Sequence, residues 1–180
     1  MLILNSRIKE LIDHKDGDQN LSRRQARRFA LQVLFCNEFL NENIDTVTER
    51  LAETLSNEVD DFSVEIIRKT SERAQKLDKL IIEGLLDRNI ERLMLLEKVL
   101  LRMSLCELTC FPDIPVEVTL NEAVDLSKEF ISYKSARFVN GILDTLFKKL
   151  EKENKLNKSL IARLPSRKSK ILRSIKDVKL

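Results

Sequence analysis

The chain has 180 residues, 43% hydrophobic and 34% charged, which is enough for one domain with its own core and too few for two domains of ordinary size. Three glycines and three prolines are too few for the turns of a β-rich or α/β protein, so the composition favours an all-α fold. Residues 151–180 hold ten basic and three acidic side chains, so this tail carries about +7 and the rest about −4. Any strongly basic surface on the folded part is therefore local.

The N-terminus and the cysteines point to a soluble cytoplasmic protein. Residues 1–4 are apolar but charged residues follow at once, and no apolar run approaches the roughly 20 residues of a membrane span. The three cysteines, Cys36, Cys106 and Cys110, fall within hydrophobic helical patterns, and His14 is the only histidine. This predicts small core residues in a reducing compartment, with no metal site and no cofactor.

The first half of the chain predicts a series of amphipathic helices. A short helix in 1–13 is followed by a polar linker, and Ser22 with Gln25 forms a capping-box pattern that opens a helix to about Leu40. Further apolar periodicities predict helices at about 44–56, from about 60 into the 70s, and across 77–86. The acids Asp60 and Asp61 suit the start of the helix predicted from about 60.

The second half predicts one buried helix and two amphipathic ones. Apolar residues surround the segment 90–111 on nearly every side, so it is expected to be central. Pro112 and Pro115 end it, and helices are predicted over 116–131 and 135–150. Gly141 lies inside the last helix, where glycine costs up to about 1 kcal/mol relative to alanine, which predicts close helix packing there. Beyond Leu150 the charged tail is expected to be frayed helix or disorder.

Four arginines mark the start of the helix that opens at Ser22. Arg23, Arg24, Arg27 and Arg28 lie on the arc beside the apolar face, at a helix end where the macrodipole disfavours cations. Stability alone does not select this arrangement, whereas the planar guanidinium and the free N–H groups of a helix N-terminus both suit phosphate. The spacing fits an RNA-binding surface and a solvated charged face equally well.

Aromatic and amide residues extend this hypothesis. Phe35 falls on the arginine arc about two turns further along, where an aromatic ring can stack an RNA base, although burial by neighbouring helices fits its position as well. Asn121 and Glu122 lie off the apolar face and are predicted to contact a partner or cap a helix end. Phe138 lies one position off the core stripe and is a second candidate for base stacking.

Catalytic arrangements are not evident in the sequence. The only histidine, His14, lies in an N-terminal segment expected to be flexible, which does not suit a Ser-His-Asp set. The three glycines are isolated, so no phosphate-binding loop is evident. We therefore expect no enzymatic activity.

Three blocks of the sequence resemble the NusB family of bacterial transcription antitermination factors. They are RRQAR…ALQVLF from Arg23 to Phe35, LEKVLLRMSLCEL from Leu96 to Leu108, and DIPV…LNEAVDLSK running from Asp113 to Lys128 and on into SARFVNGILD from Ser135 to Asp144. The likeness covers about 22–150 in register. It defines a NusB-like RNA-binding domain at 22–150, with an N-terminal extension at 1–21 and a basic tail at 151–180.

The resemblance implies a fold and a function. The fold is a compact all-α bundle of about seven helices in two subdomains. The function is binding of boxA RNA together with the ribosomal protein NusE, within the antitermination complex on RNA polymerase. The RNA contacts implied by position are Arg23, Arg24, Arg27, Phe35, Lys134 and Phe138, and the NusE surface includes Glu91 and Glu97. Whether the free protein forms a homodimer is left open.

The sequence departs from the family pattern at two positions, and two functions other than antitermination are also considered. Gln25 stands where many family members have a third consecutive basic residue, and Lys134 replaces a commonly acidic position. NusB-like domains also precede the catalytic domain of some rRNA cytosine methyltransferases, but only 30 residues, rich in basic side chains, follow Leu150, and these do not suit a cofactor-binding domain. The second alternative is a helical protein–protein module without RNA contact.

Overall fold

A computed structural model of the chain describes residues 23–40, 42–55, 59–85 and 93–156. In these ranges the protein forms seven α-helices and no strand, which confirms the all-α prediction. The helices are α1 Arg23–Leu40, α2 Ile44–Leu55, α3 Asp61–Glu72, α4 Ala74–Gly84, α5 Leu95–Cys110, α6 Val116–Phe130 and α7 Tyr133–Lys152. The predicted helix in 1–13 and most of the basic tail lie outside the described residues. None of the seven helices is long and apolar enough to cross a membrane.

The chain divides into two compact units, one ending at Ala74 and the other beginning at Gln75. In the first unit α1 packs on α2 and α3, and α2 also packs on α3. The predicted apolar face of α1 forms the centre of this core, because Ala26, Phe29, Ala30 and Val33 are all fully buried. Asp60 caps α3, as its Oδ1 accepts a hydrogen bond of 2.7 Å from the backbone N–H of Ser63.

The second unit is organised around α5, as predicted. Residues 99–108 of this helix are all buried, and α5 packs on both α6 and α7, which also pack on each other. Arg102 on α5 forms a two-pronged ion pair with Asp78 on α4, with both N···O distances at 2.6 Å. Lys149 on α7 reaches Glu83 on α4 at 2.6 Å. These ion pairs tie α4 to its neighbours within the unit.

Two helix starts differ from their predicted positions. Helix α5 begins at Leu95 and not near Ile90, because Glu97 turns back to accept the backbone N–H of Met94 and so fixes the first turn there. Helix α7 begins at Tyr133, two residues before the predicted start, because Ser132 caps it by accepting the backbone N–H of Ser135 at 3.0 Å.

The close packing predicted at Gly141 is wrong. No atom lies within 4 Å of the position that a Cβ on Gly141 would occupy, and the residue is exposed. The close approach occurs instead at Gly84, the last residue of α4, where a Cβ would lie 2.6 Å from Cγ of Leu146 on α7. The apolar neighbours Val139 and Ile142 are buried as expected.

Candidate functional site

The four arginines of α1 separate into two rows with different surroundings. Arg23 and Arg27 flank the ring of Phe62 on α3, with their guanidinium carbons 4.3 and 5.2 Å from its centroid. Arg27 is only 4% exposed, and its Nη1 donates a hydrogen bond of 3.1 Å to the backbone oxygen of Arg23. Such cation–π contacts contribute about 0.5–2 kcal/mol each. Arg27 therefore helps to hold α1 on α3.

The second row faces outward. Arg24 is exposed and Arg28 is half-buried, and their spacing of four residues stacks them on one side of α1. Phe35 falls on the same side seven residues beyond Arg28, which is about 10 Å along a helix. An arginine pair and an aromatic ring thus line one face of α1 from its N-terminus onward.

Phe35 is partly accessible in this row. It is half-buried, and its ring meets that of Phe39 edge to face, with centroids 5.2 Å apart and an interplanar angle of 76°. Phe39 and Leu40 are 42% and 43% exposed, so the end of α1 carries an apolar surface. The i, i+4 repeat of phenylalanine from Phe35 to Phe39 was visible in the sequence and would have identified this second ring.

The candidates from the later blocks lie on α7, in the second unit. Lys134 is exposed and Phe138 is half-buried beside the core positions Ala136 and Val139. Because Lys134 and Phe138 are four residues apart, they occupy one side of the first turns of the helix. The Ser132 cap fixes where this turn begins and so positions both side chains.

Two exposed residues beside them were not singled out from the sequence. Tyr133 is 74% exposed and Arg137 is exposed, and they too lie four residues apart. The sequence signal that could have identified them is a cluster of one aromatic residue and two cations within five positions. This cluster lies at the start of a helix whose first turn has no acidic residue.

The predicted partner-binding residues have unlike environments. Glu97 is 8% exposed and accepts the Met94 N–H at 3.2 Å, so it serves the helix end of its own unit. Asn121 is exposed on α6. Glu122 is half-buried, and among the described residues its Oε2 has no hydrogen-bond partner although that atom is shielded from water. Glu91 lies outside the described residues.

Comparison with protein families and curated proteins gives one consistent result. The model of the NusB family matches residues 24–148. The transcription antitermination protein NusB of Thermodesulfovibrio yellowstonii is 36% identical over 140 residues, which is 71% of this chain and 93% of that protein. Its counterpart in Bacillus licheniformis is 34% identical over 131 residues, which is 73% of this chain and all of that protein.

Solved structures agree in fold. NusB of T. maritima is 32% identical with a TM-score of 0.64, covering 73% of this chain and 94% of that one. A complex of antitermination factors NusB and NusE with double-stranded RNA contains a chain that is 24% identical, with a TM-score of 0.65, covering 71% of this chain and 96% of that one. At that level of identity the second likeness concerns the fold alone.

Proposed function

Because this chain belongs to the NusB family, we propose that it is a non-catalytic transcription antitermination factor that binds boxA-type RNA of nascent ribosomal transcripts together with the ribosomal protein NusE. In this role it assembles the antitermination complex on RNA polymerase in the cytoplasm. The curated relatives carry the name of this activity, and a structural neighbour holds NusE and RNA together. The observation in this protein that carries the proposal is the outward row of Arg24, Arg28 and Phe35 on α1.

The arginines divide the RNA-binding role between them. Arg24 and Arg28 contact phosphate, because they face outward at a helix N-terminus where a polyanion also meets free backbone N–H groups. Arg23 is exposed, and its guanidinium lies over Phe62, so its charge adds to the same electrostatic field. Arg27 acts indirectly, since its 4% exposure leaves little surface for a ligand. It positions the row by fixing α1 to α3.

The other residues proposed to contact RNA or NusE are also chosen because their side chains are at least partly accessible. Phe35 offers a partly exposed ring for a base at the far end of the α1 row, and Lys134 with Phe138 offers a cation and a ring on α7. Asn121 is exposed on α6 and faces a basic protein partner, and the half-buried Glu122 beside it adds a carboxylate to that surface.

Salt-dependent RNA affinity tests the proposal. We expect Arg24→Ala to weaken binding of a boxA-like RNA in the presence of NusE by about ten-fold, since a charge-assisted hydrogen bond contributes about 1.5 kcal/mol or more. The slope of log affinity against log salt concentration is expected to fall by nearly one unit, because one phosphate contact is lost. The measurement is fluorescence anisotropy of labelled RNA at several salt concentrations.

A matched arginine provides the control. Arg68 on α3 is also exposed and binds Asp45 at 2.7 Å, and because it lies outside the α1 row, Arg68→Ala is expected to leave the slope unchanged. Equal binding by wild type, Arg24→Ala and Arg68→Ala would contradict the α1 row as an RNA surface. Binding of NusE with no binding of RNA at any salt concentration would favour a protein–protein module instead.

A further inference from the structure

The first turn of α7 presents an aromatic side chain that folding does not use. Tyr133 is 74% exposed, the highest value among the large hydrophobic side chains that the structure describes as exposed. Within residues 23–40, 42–55, 59–85 and 93–156, no hydrogen bond or ring contact involves its side chain. A phenol ring in this position contributes almost nothing to the core, so burial does not account for it.

The charges around Tyr133 are equally unsuited to helix stability. Lys134 and Arg137 are exposed cations in the first two turns of α7, and the first turn contains no acid. The helix macrodipole disfavours cations at this end by a few tenths of a kcal/mol or more. From Tyr133 to Leu143 the sequence contains no acidic residue, and the nearest acid before it is Glu129 at the end of α6.

The spacing places the ring and the cations side by side. Tyr133 and Arg137 are four residues apart and so adjoin on one helix face, and Lys134 lies about 100° around the axis from Tyr133. Both cations lie on the same side of the exposed ring, because Arg137 is only about 40° around the axis from Tyr133 in the same direction as Lys134. A partner that fits this arrangement has a flat aromatic group next to negative charges.

Building on the proposed function, we propose that Tyr133 stacks one unpaired base of the bound RNA, while Lys134 and Arg137 hold phosphates of the adjoining backbone. Unpaired bases stack on exposed aromatic rings, and basic side chains track the adjoining backbone, in binders of single-stranded RNA. Tyr133 thereby adds a base contact that the sequence blocks of the family did not indicate.

The test compares variants of the full chain in binding a labelled boxA-like single-stranded RNA of about twelve nucleotides, with and without NusE. Tyr133→Ala is expected to lower affinity about five-fold or more, the lower end for loss of one base stack, with the salt slope unchanged. Tyr133→Phe is expected to stay within about two-fold of wild type, because the ring is retained. Arg137→Ala is expected instead to lower the slope by nearly one unit.

Controls separate stacking from a structural or protein-binding effect. Ile82→Ala removes another exposed apolar side chain of the same unit, 51% exposed on α4, and is expected to leave RNA affinity unchanged. With an abasic oligonucleotide of the same length, Tyr133→Ala and wild type are expected to bind equally. The urea midpoint of Tyr133→Ala is expected to match wild type, since the side chain lies in solvent.

Each outcome has a defined meaning. If wild type binds the RNA and Tyr133→Ala binds it equally well, the stacking role is wrong while the proposed function stands. If Tyr133→Ala weakens only the binding of NusE, the residue belongs to a protein interface and the proposal is overturned. If wild type binds RNA neither alone nor with NusE, both the proposed function and this inference are overturned.

Discussion

Replacing Gly84 with alanine probes a close contact between α4 and α7 in the second unit. The new Cβ would lie 2.6 Å from Cγ of Leu146 and 2.8 and 2.9 Å from its two Cδ atoms. Leu146 has 0% exposure, so its side chain has no open space to move into. Overpacking of this kind costs about 1–3 kcal/mol, while removing a glycine from a helix returns at most about 1 kcal/mol. We expect the free energy of unfolding to fall by about 1 kcal/mol.

The assay is urea unfolding followed by circular dichroism, with Gly141→Ala as the matched control. The same substitution there meets no atom within 4 Å, so helix propensity alone acts and stability is expected to rise by up to about 1 kcal/mol. In a Leu146→Ala background, which removes the obstructing atoms, the effect of Gly84→Ala is expected to lose its penalty. If Gly84→Ala stabilises the wild-type chain as much as Gly141→Ala does, the packing argument is refuted.

Three further predictions concern stability and reactivity. Asp60→Ala removes the α3 cap and is expected to lower the free energy of unfolding by about 1 kcal/mol, whereas Asp60→Asn retains a capping oxygen and stays near wild type in the same urea titration. Asp78→Ala leaves the nearly buried guanidinium of Arg102 without its carboxylate, and a loss of about 3 kcal/mol is expected; a loss below about 1 kcal/mol would contradict it. Burial raises the pKa of the Cys36 thiol, so alkylation of Cys36 is expected to be slower than that of the half-buried Cys110 at pH 8, as followed by mass spectrometry, and equal rates would argue against this burial.

Most helices could be predicted from the sequence because their ends are determined by residues close to them in the chain. Helix α6 was predicted to within one residue, since Pro115 can only start a helix and the apolar spacing ends near Phe130. The start of α5 was missed by five residues, because the apolar pattern extends back beyond Met94, whose backbone N–H is bound by the Glu97 carboxylate at the start of the helix.

Contacts between helices limit how much of the candidate site can be predicted from the sequence. Periodicity placed all four arginines beside the core face of α1, but it contains no information on Phe62, which belongs to another helix and covers Arg27. For the same reason, the sequence drew attention to Gly141 because it lies inside a predicted helix. The contact of Gly84 could not be predicted, because the side chain that it meets lies 62 positions away in the sequence. Local patterns thus predicted which residues are unusual but not which neighbours they meet.

The position of Arg27 over the Phe62 ring also predicts which substitutions related sequences carry in this helix. Lysine at position 24 or 28 would retain the positive charge that a phosphate recognises, so exchange between arginine and lysine is expected to be tolerated there. Lysine at position 27 would lack the planar guanidinium that lies over the ring. Substitutions at positions 23 and 27, both of which place a guanidinium over the ring, are therefore expected to appear together with substitutions at position 62, while positions 24 and 28 vary independently of it.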